Sequence, residues 1–202
     1  MKKNIYYIIV FTLIIILGYY SSLHYIEENA LTKKQIWSII NNIDGTLLGI
    51  MTKNGEKELT DASKIEYTIK YIVHNKEKYI DDIEEESTSF EKNNTIYYDF
   101  GKINEKEFNQ TLLIFFDSIN SCYEDYYLYK DHYINLVYEP IEYISTDTQT
   151  ISSYYIYKGK INVYVKYIRN VDDVYNTFDV KYVFDKDSHK ICNVIVLNSY
   201  MN

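Results

Sequence analysis

The 29 Asp and Glu residues are too numerous to be informative, so the search for acid, base, nucleophilic or metal chemistry narrows to His24, His74, His132, His189, Cys122 and Cys192. The histidines are scattered, and none has the partner four residues away that lets two imidazoles share one helical face around zinc. Each therefore reads as a surface or turn residue. Asp185, Asp187 and His189 crowd one short stretch that suits a cation, but Asp, Ser and Lys are also what a hairpin turn requires, and the turn is the stronger reading. The acidic run Asp81-Asp82 and Glu84-Glu85-Glu86 lacks the glycine and alternating oxygen ligands of a calcium loop, so it reads as a solvated helix end or a loop. Cys122 and Cys192 form a candidate disulfide closing a loop of about 70 residues, worth about 4 kcal/mol. A free thiol suits Cys192 equally well, because it sits in the apolar run Ile191 to Leu197. No serine stands on a G-x-S-x-G elbow, and the six glycines never cluster into a phosphate loop. Neither an enzyme nor a cofactor or metal is expected.

Binding chemistry is better represented. Tyr occurs 25 times against a single Trp, and two tyrosine sets are spaced to act together. Tyr123, Tyr126, Tyr127 and Tyr129 alternate with acids. Tyr155, Tyr157 and Tyr164, with Lys166, fall on one face of a predicted hairpin and form a candidate interaction face. Tyr buries a large rigid area and keeps a hydroxyl for hydrogen bonding, which suits it to gripping a partner. Heavy use of Lys, Ile, Asn and Tyr also matches translation of an AT-rich genome, as in a low-GC bacterium, so part of the excess needs no function.

Where these residues act is set by the first stretch of the chain. Ile5 to Leu17 holds ten Ile, Leu, Val or Phe residues and no charge, which favours insertion into lipid by roughly 3 to 6 kcal/mol. Extended to Leu23 as a helix, it reaches about 28 Å, close to a hydrocarbon core of about 30 Å. Tyr19 and Tyr20 occupy positions a signal peptidase needs small, so an uncleaved anchor is expected, and a secreted protein with its signal peptide removed is the alternative. Lys2 and Lys3 before the span and Glu27 and Glu28 after it place the start in the cytoplasm and the rest outside. The expected organisation is a cytoplasmic tip and anchor over 1–23, a linker over 24–31 and one extracytoplasmic domain over 32–202. The chain carries a net charge of -8. Without Lys2 and Lys3 the exported part is near -10, a field that repels nucleic acid.

The elements that must position the tyrosines follow from periodicity. Thr32 and Gln35 make a capping box ahead of Ile36, Trp37, Ile39, Ile40 and Ile43. Thr46 to Leu59, with Asn54-Gly55, reads as a small hairpin. Thr60 or Asp61 caps a second helix with the stripe Ile65, Ile69, Ile72, Val73 and Ile80. A strand is expected from Thr95 to Gly101, and a third helix after Asn104 with Phe108, Leu112, Phe115, Phe116 and Ile119 on one side. Alternation then continues through Tyr133 to Ile144, Ser152 to Tyr157, Lys160 to Ile168, Val174 to Phe184 and Lys190 to Asn198. Lys158-Gly159 forms a two-residue turn and Asp185 to His189 a longer one. Pairing Tyr157 with Lys160 puts Ile156 against Ile161 and Tyr154 against Val163, with Val165 and Tyr167 on the same buried side.

The expected fold class is α+β: an N-terminal transmembrane helix, then about three helices packed on a curved antiparallel sheet of four to six strands. This order resembles the cystatin-like and nuclear-transport-factor-like folds. An anchored domain of that kind is similar to the inner-membrane assembly factors of type IV secretion and conjugation machines, and the resemblance implies a scaffold without catalytic residues. The expected function is a membrane-anchored interaction or scaffold domain with an unknown protein partner, a homo-oligomer being one form of it. The alternative is a small-ligand or cell-wall sensor with a pocket lined by Tyr98, Phe115 and Tyr182.

Overall fold

A computed structural model describes residues 10–19, 32–41, 43, 45–79, 83–92, 95–119, 127–128, 132–139, 148–171 and 174–201. The chain divides into two units, Met1–Ile39 and Ile40–Asn202.

In the first unit, residues 10–19 are helical (α1) and leave Phe11, Ile14 and Leu17 exposed, Phe11 by 66%. Among the described residues no helix is long and apolar enough to cross a membrane. Of the expected span, 5–9 and 20–23 lie outside the described residues, as do the linker and His24. Helix α2 (Lys33–Asn41) starts as its capping box dictates. The Gln35 N–H donates to Thr32 Oγ1 at 3.3 Å, and the Thr32 N–H donates back to Gln35 Oε1 at 2.7 Å.

The second unit corrects the expected hairpin at Thr46 to Leu59, which is instead mainly a helix, α3 (Gly45–Lys53). Thr46 through Met51 are all buried, and a run buried on every side carries no period to separate strand from helix. Asn54-Gly55 terminates this helix rather than turning a hairpin. Gly55 takes φ +67°, the Gly55 N–H donates to Thr52 O at 3.1 Å, and the Glu56 N–H donates to Met51 O at 2.8 Å. Those two bonds make a Schellman cap. Glu56 then serves the next helix, α4 (Asp61–His74), by accepting from the Thr60 and Ser63 hydroxyls at 2.8 and 2.6 Å. Thr60 is the N-cap, accepting from the Ser63 N–H at 3.2 Å. The expected stripe Ile65, Ile69, Ile72 and Val73 is buried, while Ile80 lies outside the described residues.

After a 3₁₀ turn (Lys76–Lys78) come β1 (Ile83–Lys92), β2 (Thr95–Asn104) and α5 (Glu105–Phe115), then β3 (Tyr127–Leu128) and β4 (Tyr133–Tyr138). Glu84-Glu85-Glu86 therefore belong to a strand, not to a helix end or loop. β1 is an edge strand, where charge is tolerated because it discourages pairing with another chain. Asn104 caps α5 by accepting from the Lys106 N–H at 2.9 Å. β5 (Thr148–Tyr157), β6 (Lys160–Val171), β7 (Val174–Asp185) and β8 (Ile191–Met201) complete the chain.

The fold is α+β, but the strands form two antiparallel sheets, ordered β1-β2-β4-β3 and β5-β6-β7-β8, rather than one curved sheet. The difference lies in β4, which pairs with β2 and β3 and not with the later meander. Alternation shows which side of a strand is buried and is silent about its neighbour. Helices α4 and α5 pack on the first sheet, with α3 against α4. Phe108, Leu112 and Phe116 of the α5 segment are fully buried, each contributing about 2 to 3 kcal/mol. The second sheet is tied on at the free edge of β8: the Leu59 N–H donates to Val194 O and the Val196 N–H to Lys57 O, both at 2.9 Å. On the same strand the Asp117 N–H donates to Ile191 O at 3.3 Å.

Nothing lies within 4 Å of a Cβ added at Gly55, so a change there tests backbone conformation alone. Gly55→Ala should cost about 1 kcal/mol in urea unfolding of the full chain, and Gly55→Asn distinctly less, since Asn tolerates the left-handed region. Equal losses would contradict the cap.

Candidate functional site

The hairpin β5–β6 has the register expected: Tyr157 opposite Lys160, Ile156 opposite Ile161, Tyr155 opposite Asn162 and Tyr154 opposite Val163. Lys158 and Gly159 both take positive φ, 48° and 71°, the requirement of the tight turn whose twist matches its strands. Ile161, Val163, Val165 and Tyr167 are buried as predicted, while Tyr154 and Ile156 are half-buried. A register shift between Ile151 and Ser153 puts Ser153 opposite Tyr164 while Ile151 stays opposite buried Val165.

All four candidate residues fall on the other face. Tyr155 and Tyr157 are 45% and 60% exposed, Lys166 is exposed and Tyr164 is half-buried. The Tyr155 and Tyr164 rings stack at 6.2 Å and 29°. Lys181 Nζ lies 5.8 Å from the Tyr164 ring centre and Lys158 Nζ 5.2 Å from that of Tyr157, so cations flank the rings. Asn162, opposite Tyr155 in the register, is only 7% exposed. This face offers flat aromatic area, hydroxyls and positive charge. Of the other tyrosine set, Tyr127 lies in β3, and Tyr123, Tyr126 and Tyr129 lie outside the described residues.

At the hairpin end, Lys160 Nζ reaches Asp185 Oδ2 at 3.3 Å and donates to Cys192 Sγ at 3.0 Å. Burial pushes the Cys192 thiol up in pKa against the pull of Lys160, which makes it a poor nucleophile. Cys192 carries a free thiol, and Cys122 lies outside the described residues. Asp185 is consumed by the turn, accepting from the Ser188 and Asp187 N–H groups at 2.9 and 3.1 Å. The Ser188 bonds, joined by Lys160, draw its carboxyl down to about 2. His74 is bonded through Nδ1 to Lys70 O, His132 pairs with Glu105 at 3.2 Å, and His189 sits in the turn with φ 57°. Among the described residues no three His, Cys, Asp or Glu side chains converge on a metal site.

Tyr98, Phe115 and Tyr182, expected to line one pocket, sit on three separate elements: β2, the end of α5 and β7. Tyr98 is in the first sheet, opposite Tyr138. Tyr182 is buried in the second sheet, stacked on Phe184 at 5.9 Å. Phe115 meets Tyr67 and Tyr71 edge-on at 5.2 and 4.7 Å. A cleft opens among Lys53 at the end of α3, Asn54 after it, Ala62 and Glu66 of α4, Phe90, Lys92, Tyr97, Asn135, Val137 and Tyr138 of the first sheet, and Glu139 just beyond β4. It encloses about 480 Å³. Lys53 is paired with both Glu139 and Glu66, the latter at 3.7 Å. Reading the α3 region as a hairpin hid this cleft, although Ala62, Glu66 and Lys70 at four-residue spacing were a legible second stripe on α4.

Comparison with protein-family models, curated proteins and solved structures finds no match for this chain.

On the buried side of the second sheet the Tyr167 and Tyr182 hydroxyls are 2.7 Å apart. Burial pushes Tyr167 up to about 12 and Tyr182 well above its ordinary value. Both folded pKa values exceed the unfolded value, so their contribution is whole below about pH 10 and is lost as pH climbs through about 12. Urea unfolding should weaken by on the order of 2 kcal/mol across that window, and by less in Tyr167→Phe. A flat alkaline profile would contradict the buried pair.

Proposed function

We propose that the protein is a membrane-anchored extracytoplasmic interaction domain that holds a partner protein against the Tyr155, Tyr157 and Tyr164 face. The observation that carries this reading is two large tyrosines, Tyr155 and Tyr157, left open on the sheet, with Lys158 over the Tyr157 ring, Lys181 over the Tyr164 ring and Lys166 exposed on the same face. Such aromatic, cation-bearing patches are the kind that anchor protein contacts. The residues 5–23 anchor it by membrane insertion, a reading supported by the apolar sequence and by the bare apolar side chains of α1. The N-terminus lies in the cytoplasm and the acidic body outside. The domain works by binding rather than turnover, needs no cofactor, and does not bind nucleic acid, whose charge its own field opposes. The setting this reading implies is a scaffold within an envelope-spanning assembly, where a second copy of the chain is one partner that fits.

Replacing Tyr155, Tyr157 and Tyr164 together by Ser should abolish crosslinking to the partner in native membranes while moving stability by no more than about 2 kcal/mol, as expected where mainly exposed surface changes. Undiminished crosslinking would sink the face. Protease added to intact cells or spheroplasts should digest the body and spare the anchor. A protected body, or a mature chain starting near residue 22, would overturn the topology.

A further inference from the structure

The geometry of the cleft beside α4 points to a second site, independent of the tyrosine face, that takes a neutral sugar ring. Its volume, about 480 Å³, lies within the range of small-ligand sites, about 300 to 1,000 Å³. Its formal charges cancel: Lys53 and Lys92 face Glu66 and Glu139. With equal numbers of each sign in its lining, the cleft offers neither an anion nor a cation a net attraction, and a neutral ligand loses nothing by comparison.

The hydrogen-bonding groups are of the kind hydroxyls satisfy. Glu66 Oε1 is buried and accepts no hydrogen bond, Lys53 standing off at 3.7 Å. Its other oxygen takes only a long bond of 3.5 Å from Asn54 Nδ2. A buried acceptor in that state calls for a donor. Asn54 and Asn135 can each donate and accept, which suits a group such as a ring hydroxyl that also does both. The opposite requirement, an apolar wall, is met by register: Phe90 stands opposite Tyr97 across β1 and β2, and Val137 follows on β4. The Phe90 and Tyr97 rings stack at 5.5 Å and 17°, and Phe90 is 42% exposed. A pyranose presents hydroxyls at its rim and C–H bonds on its faces, so it answers both halves of the site at once. A free amine or an inorganic anion answers only one.

The test is saturation-transfer NMR on the full chain in lipid nanodiscs, with N-acetylglucosamine and glucose as probes and putrescine and inorganic phosphate as competing chemistries. At least one sugar should receive saturation at its ring C–H protons. Phe90→Ala, which changes an exposed ring, should weaken the signal about fivefold, and Glu66→Gln should raise the dissociation constant while leaving the circular dichroism spectrum unchanged. Saturation of putrescine or phosphate without the sugars, of no probe, or of a sugar indifferent to both substitutions would overturn the assignment. Because cleft and tyrosine face share no residue, loss of one leaves the other standing.

Discussion

The outer edge of β8 is where the second sheet meets the rest of its unit. β5 to β8 are consecutive in sequence and form one sheet, so without that edge the meander would be an attachment rather than part of a body. Lys57 to Leu59 on one stretch, and Phe116 and Asp117 on another, supply the missing partners through backbone bonds. An open strand edge is a hazard in any protein, because its unpaired N–H and C=O groups invite pairing with another chain. Filling it from within also brings helix to sheet: Tyr67 of α4 lies near enough to Tyr182 to raise its pKa, and meets Phe116 edge-on at 5.8 Å.

The link is reinforced by a buried cation. Lys64 of α4 is 6% exposed, and its ammonium donates to Ser118 O at 2.7 Å while pairing with Asp61 at 3.2 Å. A buried charge is tolerable only when so surrounded. It locks the start of α4 to the segment leaving α5, close to the Asp117 bond with β8. The two faces of the second sheet thus have opposite fates. One lies against the core with Val163, Val165, Val180 and Tyr182 buried, and the other presents Tyr155 and Tyr157 to solvent.

Much of this was legible in the chain. Periodicity placed the second and third expected helices, the capping box of α2, the cap at Asn104 and the β5–β6 pairing, because a two-residue turn fixes register and therefore faces. The β6, β7 and β8 segments likewise fell where alternation put them. The misses share a cause. The α3 run, buried all round, has no face to betray its period; the acidic β1 carries edge charge that mimics a loop; and the partner of β4 is a matter of tertiary packing that no local pattern encodes. The cleft went unseen because it needs α3, α4 and three strands of the first sheet to be placed before any of its residues meet.

The junction at β8 also imposes an order of events. Lys57 to Leu59 leave the ribosome well before their hydrogen-bonding partners Val194 and Val196, which stand about 135 residues later. The helices and first sheet must therefore wait, with their side of the seam open, until the segment holding Val194 and Val196 has been synthesised. Contacts of such long range are slow to form. During that interval the unfinished protein is one that quality control can still recognise.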